Sequence, residues 1–509
     1  MIMTTTAIQQ VQSTRNGFPD TLKGKKILLT TESLGPVNGV SRTTRSLIDY
    51  LHRHGADLVV VAPWFEGMSQ QQQLLHPDEK LAQSFRELRI PGSPLPYNPD
   101  LTVVYPFQLH DVYQQTFNGQ PPDIIYLASP ASLGFQVLLQ LRQLQNPPVV
   151  LLNFQTDLSA YAEILLPSPL DRFGVWLLAT VQGYLFDHAA VNTIFYPSSS
   201  IQGYLKSAGA PSDRMQKLGR GVDTALFNPS HRDESYRQAI APNGEIIFVY
   251  VCRLAPEKGF EFLAQIATQL AQDGTLPFKL LIVGGNRNPS VEDRIRHLFD
   301  PVRDHVVFTG FLTGPSLACA YAAGDLFFHC SVTETFGLVV LEAMASGLPV
   351  IARDQGGPSD IIRNHETGYL VPPDDLNAFV DVVRRVAGDC HIRGNLARGA
   401  RAYADETTWD AINHRVAWRM ADALASTTSS VFSSETVPTP STPVDRQWRN
   451  VEALVEKLRL LLAVGIVYVM WLVAVVPLLV HGNRVVPRVL HALPRISGSW
   501  RWRKSDLER

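Results

Sequence analysis

Short apolar runs alternate with helical patterns along most of the chain, and the alternation comes in two series. The first opens with KKILLTT (25–31), an apolar run that ends in the turn-rich loop ESLGPVNG. A helical pattern follows, VSRTTRSLIDYLHRHG, closed by Gly55 as a C-cap, and then a second apolar run, DLVVVAP. Strand, loop, helix and strand at this spacing predict a βαβ unit and hence a parallel sheet. Between Trp64 and Phe107 the rhythm breaks. A glutamine run (Gln70 to Gln73) and several prolines predict an irregular excursion there. The alternation resumes with DIIYLAS, a helix near 131–145, PVVLLNFQTD, and NTIFYPS leading into the helix SSSIQGYLKSAG.

After a polar stretch (228–244) the second series begins. EIIFVYVCRL, KLLIVGGN, HVVFTGF, DLFFHCS and LPVIARD are each followed by a helical pattern. These runs are rich in Val, Ile and Phe, as strands buried on both faces should be. Two such series predict an α/β protein with two Rossmann-like domains facing each other over a cleft, 23–225 and 226–425. The second would end in a helix that packs back. Ligands of such sheets bind outside the carboxyl ends of the strands. Residues 1–22 read as a disordered start. STTSSVFSSETVPTPSTPVD (426–445) reads as a flexible linker.

The remainder, 446–509, behaves differently. From Leu458 to Val480 only Arg459 is charged, and the 21 residues after it carry no charge. That is long enough to cross a bilayer core of about 30 Å at 1.5 Å per residue. Pro477 would bend or end such a helix. Basic residues flank the segment on both sides, and the tail after it has seven basic and two acidic residues. A spanning helix would send the tail into a lumen. A hairpin bent near Pro477 would keep it in the cytosol, and SWRWRK could equally rest on anionic headgroups.

Composition narrows the function classes. A formal net charge of −2 over 509 residues gives no electrostatic case for nucleic acid. Cys252, Cys319, Cys330 and Cys390 form no CxxC pair and no zinc spacing, which suits buried thiols in a reducing compartment. The polar N-terminus lacks the apolar core of a signal peptide, so a cytosolic start is expected.

Two stretches carry candidate chemistry. RLAPEKG (253–259) follows an apolar run and precedes a helix. Arg253 and Lys258, beside a helix N-terminus, could hold a diphosphate and stabilise charge on a leaving group, or could be a solvated surface pair. TETFGLVVLEAMASG (333–347) places Glu334 in a loop and Glu342 in a helix expected over Phe336–Ser346, with Gly347 as its cap. Eight residues is close to two helical turns, so the carboxylates lie broadly on one side at different depths. The spacing alone fits either two grips on one extended ligand or a capping charge plus an unrelated surface glutamate.

RLAPEKG, VGGN (283–286), ETFGLVVLEAMASGLPVIA and TGYLVPP occur in this order, preceded by PSSSIQGYLKSAG and GRGVDTALFNP. Together they closely resemble the retaining GT-B glycosyltransferases of family 4, over roughly residues 25 to 425. The similarity is greatest to the group holding sulfoquinovosyl-diacylglycerol synthases and bacterial lipid mannosyltransferases. The resemblance implies a GT-B fold and sugar transfer from a nucleotide sugar. Arg253 and Lys258 would contact the donor diphosphate, with Arg220 adding positive charge. Glu334 would bind hydroxyls of the donor sugar, aided by the backbone N–H groups of Phe336 and Gly337. Glu342 would bind the ribose hydroxyls, and Gly39 would let the first loop approach the phosphates.

One departure stands out. Where many relatives carry a histidine near the reacting sugar, this chain has Gln155, which cannot titrate. That agrees with a front-face mechanism in which the departing phosphate takes the acceptor's proton. Asp157 and Tyr161 are acceptor-side candidates, and a structural role fits them as well. No Asp-x-Asp pair occurs in the expected donor loops, so neither a metal nor another cofactor is expected. The expected partners are a nucleotide sugar and a lipid or other apolar acceptor, with the catalytic domains on the cytosolic side of a membrane held through the C-terminal segment. Alternatives are a nucleotide-sugar epimerase on the same fold, transfer to a soluble secondary metabolite, and a non-catalytic sugar-binding protein.

Overall fold

A computed structural model describes residues 17–35, 39–64, 85–95, 98–155, 170–286, 288–331, 334–431 and 454–469. The chain divides into two compact units. Met1–Phe195, Leu205–Gln216 and Val416–Arg509 form the first; Tyr196–Tyr204 and Lys217–Arg415 form the second. Each is built on a parallel sheet.

The first unit runs through β1 (Lys26–Thr31), β2 (Asp57–Pro63), β3 (Phe85–Ile90), β4 (Gly92–Leu95), β5 (Asn98–Val104), β6 (Ile124–Ala128), β7 (Val149–Asn153), β8 (Val191–Tyr196) and β9 (Met215–Lys217). The main sheet has the order β3-β2-β1-β6-β7-β8-β9. Leu29 of β1 pairs with Val60 on one side and Tyr126 on the other, both in parallel register. Ile27, Leu28 and Leu29 are fully buried, which accounts for an unbroken apolar run rather than an alternating one.

The second unit contains β10 (Ile246–Val251), β11 (Phe278–Val283), β12 (Val306–Phe308), β13 (Leu326–His329), β14 (Val350–Arg353) and β15 (Gly368–Val371), in the order β12-β11-β10-β13-β14-β15. Successive side chains of a strand point to opposite faces, and here both faces are covered. Phe248 and Tyr250 feed one core, Ile247 and Val249 the other. In both sheets the chain first travels outward on one side, then jumps back. The jump places β6 beside β1 and β13 beside β10. Each sheet therefore has a point where strand order reverses, and crevices at such points take ligands.

Several expectations need correction. The excursion after Trp64 is not wholly irregular: FRELRI joins the main sheet beside β2, and β4 and β5 form an antiparallel pair. Residues 65–84, with the glutamine run, lie outside the described residues. Packing begins before residue 23, since Leu22 is buried and Trp418 Nε1 donates to the Gly17 carbonyl at 3.1 Å. The polar stretch 228–244 holds the helix Glu234–Ile240, capped by Asp233. The last long helix, Trp409–Val431, continues through 426–431, where a linker was expected. Ser426 still ties into that helix through the Ala423 carbonyl at 2.8 Å. Residues 432–445 lie outside the described residues.

Among the described residues no helix is long and apolar enough to cross a membrane. Of the expected segment 458–480, residues 458–469 are described, within a helix over 454–469. Residues 470–480 and the basic tail lie outside the described residues.

Candidate active site

Most of the expected site residues gather in the second unit, at the carboxyl ends of the neighbouring strands β10 and β13. The loop after β10 is RLAPEKG; the loop after β13 leads into TETFG. VGGN, after β11, braces the first of these. The Leu254 N–H donates to the Gly285 carbonyl at 3.0 Å, and Asn286 Nδ2 donates to the Leu254 carbonyl at 2.6 Å. Tyr250 donates its hydroxyl to the Lys258 carbonyl.

Within this frame Lys258 Nζ lies 3.0 Å from Glu334 Oε2, with both side chains about four-fifths buried. His329, the last residue of β13 and itself buried, brings Nε2 to 3.9 Å from the same carboxylate oxygen. Burial alone would push Glu334 up. The charge and hydrogen bond of Lys258 together with His329 outweigh it, and the carboxyl is held well below the usual carboxylate range. Burial would likewise lower Lys258, but the charge and hydrogen bond of Glu334, with smaller contributions from Cys252 and Glu257, together outweigh it and raise the ammonium above its ordinary value. Burial pushes the neighbouring Cys252 thiol up to about 12, so it stays protonated and unreactive.

The helix after Glu334 is shorter than the sequence suggested: it spans Leu338–Ala345 rather than Phe336–Ser346. Gly337 is its N-cap at φ +97°, a left-handed conformation open to glycine at little cost. Gly337 itself brings no capping side chain, and the first turn holds no acidic residue. Phe336 is buried, and Arg220, also buried, sits with its guanidinium 5.9 Å from the Phe336 ring centre. Arg220 donates to the carbonyls of Leu218 and Gly219 at 3.3 and 3.4 Å.

Glu342 is buried on an otherwise apolar helix, where its Oε2 accepts from the Tyr321 hydroxyl at 2.9 Å. A buried carboxylate needs such partners, because leaving it unpaired is costly. Arg253 differs from Lys258. It is half exposed and pairs with Glu257 at 3.1 Å, a partner within its own loop. Gly39 and Gln155 belong to the first unit. Gly39 opens the helix Gly39–Arg53, and residues 36–38 before it lie outside the described residues. Gln155 is buried, and its amide nitrogen finds no hydrogen-bond partner among the described residues. Asp157 and Tyr161 lie outside the described residues.

Three features escaped the sequence reading. One is His329, a polar residue closing an apolar strand, which is the signal that could have found it. The second is the Gly356–Gly357 pair after β14. The Gly357 N–H donates to the Glu334 carbonyl at 2.8 Å, and a Cβ on Gly357 would stand 2.1 Å from the Phe336 carbonyl oxygen. The glutamate loop therefore lies directly on a backbone that has no room for a side chain. The third is Glu32, in the first unit, at the reversal point between β1 and β6. Its Oε1 accepts the N–H groups of Ala131, Leu133 and Gly134 at 2.7–3.0 Å, and its Oε2 accepts from Ser132 Oγ at 3.1 Å. Burial pushes its carboxyl up to about 7 against these four donors. Among the described residues no group of His, Cys, Asp and Glu is placed to hold a metal ion.

Residues 37–226 match the family described as Glycosyltransferase Family 4, and residues 245–389 match Glycosyl transferases group 1. A GDP-mannose-dependent alpha-mannosyltransferase of Mycolicibacterium smegmatis is 36% identical over 389 residues, which is 75% of this chain and 95% of that protein. The sulfoquinovosyl transferase SQD2 of Arabidopsis thaliana is 30% identical, over 75% of this chain and 70% of its own length. Among solved structures, sucrose-phosphate synthase from Thermosynechococcus elongatus superposes with a TM-score of 0.60 at 21% identity, covering 79% of this chain and all of that one. Anabaena HepE in complex with UDP and glucose gives 0.57 at 19% identity, covering 78% and 99%. With two Rossmann-like domains of GT-B type, this chain belongs to glycosyltransferase family 4 and is a nucleotide-sugar-dependent hexosyltransferase.

Proposed function

We propose that the chain is a retaining glycosyltransferase that moves a hexose from a nucleotide sugar to a lipid or other apolar acceptor at a membrane face, with its catalytic units on the cytosolic side. The observation that carries the reading is the Lys258–Glu334 pair at the second sheet's reversal point, beside the helix that starts at Gly337. Lys258 and Arg253 would neutralise the donor diphosphate, with Arg220 behind them. Glu334 would orient the sugar with the N–H groups of Phe336 and Gly337, and Glu342 would hold the ribose. Gly39 would let the first unit's loop come near the phosphates, and Gln155, Asp157 and Tyr161 are the acceptor-side candidates.

The anomeric carbon–oxygen bond to the diphosphate breaks, and the acceptor oxygen bonds to that carbon on the same face. The acceptor's proton passes to the departing phosphate oxygen, so no titrating base is required at Gln155. The cations supply the charge stabilisation that a metal would otherwise give, so no metal or other cofactor is assigned. The GDP-mannose-dependent relative makes GDP-mannose the first donor to test.

The test is a screen of GDP-, UDP- and ADP-sugars against a total lipid extract, read by mass spectrometry, with donor alone as the control for epimerisation. A lipid product with retained anomeric configuration is expected from one donor, in the presence of chelator. If no lipid gains mass with any donor, the acceptor is soluble.

A further inference from the structure

The large apolar side chains exposed among the described residues are concentrated on two helices of the first unit. Apart from Leu144 and Phe311, all of them lie on the helix Leu170–Phe186 or on the helix over 454–469. The second helix is attached through Glu456, Ala463 and Ile466. Glu456 Oε1 accepts from Arg142 Nη1 and from the Tyr184 hydroxyl, each at 2.8 Å. Arg142 lies over the Tyr184 ring at 3.9 Å and donates to the Tyr184 carbonyl at 2.6 Å. Ala463 and Ile466, on the same side of the helix as Glu456, are buried.

The opposite side carries Leu454, Leu458, Leu461 and Leu462, at steps of four, three and one residue that make one stripe, and these are 45–66% exposed. A surface helix of a globular protein ordinarily shows the reverse, apolar inward and polar outward. Phe173 and Trp176, more than half exposed and 5.8 Å apart, add a second apolar site on Leu170–Phe186. Phe173 lies eleven residues before Tyr184, about three turns and ~16 Å along the same helix face.

We propose that this side of the first unit rests on an anionic bilayer, with Phe173, Trp176 and the outward leucines of 454–469 entering the interface. The Glu456 clasp would fix the helix flat against the unit. The sequence around the stripe supports a lipid occupant over a protein one. Residues 470–480, next in sequence, carry no charge, and the tail after them has seven basic and two acidic residues, complementary to anionic headgroups. The inference rests on the membrane-face reading above and specifies which surface meets the lipid.

The test is flotation of the full chain with phosphatidylcholine vesicles, with and without about a third of phosphatidylglycerol. Phe173→Ser/Trp176→Ser and Leu458→Gln/Leu461→Gln are compared with the wild type, and far-ultraviolet circular dichroism and melting serve as folding controls. Brominated lipid should quench a fluorescence component that Trp176→Phe removes. The expected result is binding that needs the anionic lipid and falls at least tenfold in each double variant, with transfer to a detergent-dispersed acceptor unchanged. Partition within twofold of wild type in both variants, or no quenching of Trp176, overturns the proposal. So does a wild type that stays off vesicles and forms a dimer which the same substitutions dissociate. The two readings fail separately: a donor screen without lipid product sinks the acceptor assignment and leaves the docking surface standing.

Discussion

Lys258 and Glu334, 76 residues apart in sequence, meet at 3.0 Å because β10 and β13 are neighbours in the sheet. Each residue stands in the loop at its strand's carboxyl end, so the pairing follows from the crossover that puts β13 beside β10. If the pair binds the donor, Lys258→Ala and Glu334→Gln should each lower kcat by about 10²–10³-fold, the range for losing one charge-stabilising group. Lys258→Met should also cost on the order of 3–5 kcal/mol, because it leaves a largely buried carboxylate without its cation. Urea melts of both single variants and the double variant check this, and the double should cost less than the sum.

The same pair sets a pH window. Glu334 is held below its ordinary 4.5, so its stabilisation is complete above that value and is lost as pH falls below it. Lys258 is raised above its ordinary 10.5, so its stabilisation is complete below that value and is lost as pH rises beyond it. The coupling energy from a double-mutant cycle should therefore stay level from about pH 5 to 10 and shrink on the acid side first. A coupling that changed steeply near pH 7 would contradict the assignment.

Glu32 works with the opposite sign. Its carboxyl is raised to about 7 in the fold, so its contribution is greatest below the ordinary 4.5 and is lost as pH rises through 7. Stability to urea should decline between pH 5 and 8 in the wild type and decline less in Glu32→Gln. The amide oxygen can still accept the three backbone donors.

Gly357→Ala should displace the glutamate loop, since its Cβ would fall 2.1 Å from the Phe336 carbonyl oxygen. Neither partner is a flexible side chain. A loss of turnover of at least tenfold is expected, with a stability cost of about 1–3 kcal/mol. Paired kinetic and thermal measurements would reveal the result, and normal turnover would show that the loop position is unimportant.

Tyr321→Phe removes the hydroxyl that donates to Glu342. One hydrogen bond to a charged group is worth about 1.5–3 kcal/mol, so KM for the donor should rise about tenfold or more. kcat should change little if Glu342 acts on the ribose and not on the reacting sugar. A fall in kcat with KM unchanged would move Glu342 to a different role.

Much of the second unit was legible in the sequence, because its strands are buried on both faces and read as apolar runs of the right length. RLAPEKG and TETFG were found for the same reason: each follows such a run. The order of the strands was harder to see. Nothing local in DLFFHC says that it lies beside EIIFVYV rather than beside HVVFTGF, and that adjacency is what brings Lys258 to Glu334. FRELRI was missed because its charged residues interrupt the apolar pattern that marks a central strand. As the edge of its sheet, β3 needs less apolar surface. His329 went unnoticed because it reads as the polar end of an apolar run, and the Gly356–Gly357 pair because its contacts are to a loop about twenty residues away.

The first unit's loop carboxylate has further consequences. Both sheets share one plan, a helix start facing the carboxyl end of a central strand at the reversal point. In the first, Glu32 accepts the main-chain N–H groups of that helix. In the second, Glu334 turns to Lys258, and Gly337 at the helix start brings no side chain of its own. Glu32 thus occupies one helix start with its own carboxyl oxygens, while Glu334 beside the other is engaged by a cation. The two sheets, alike in plan, therefore differ in polarity at their reversal points according to where a single carboxylate points.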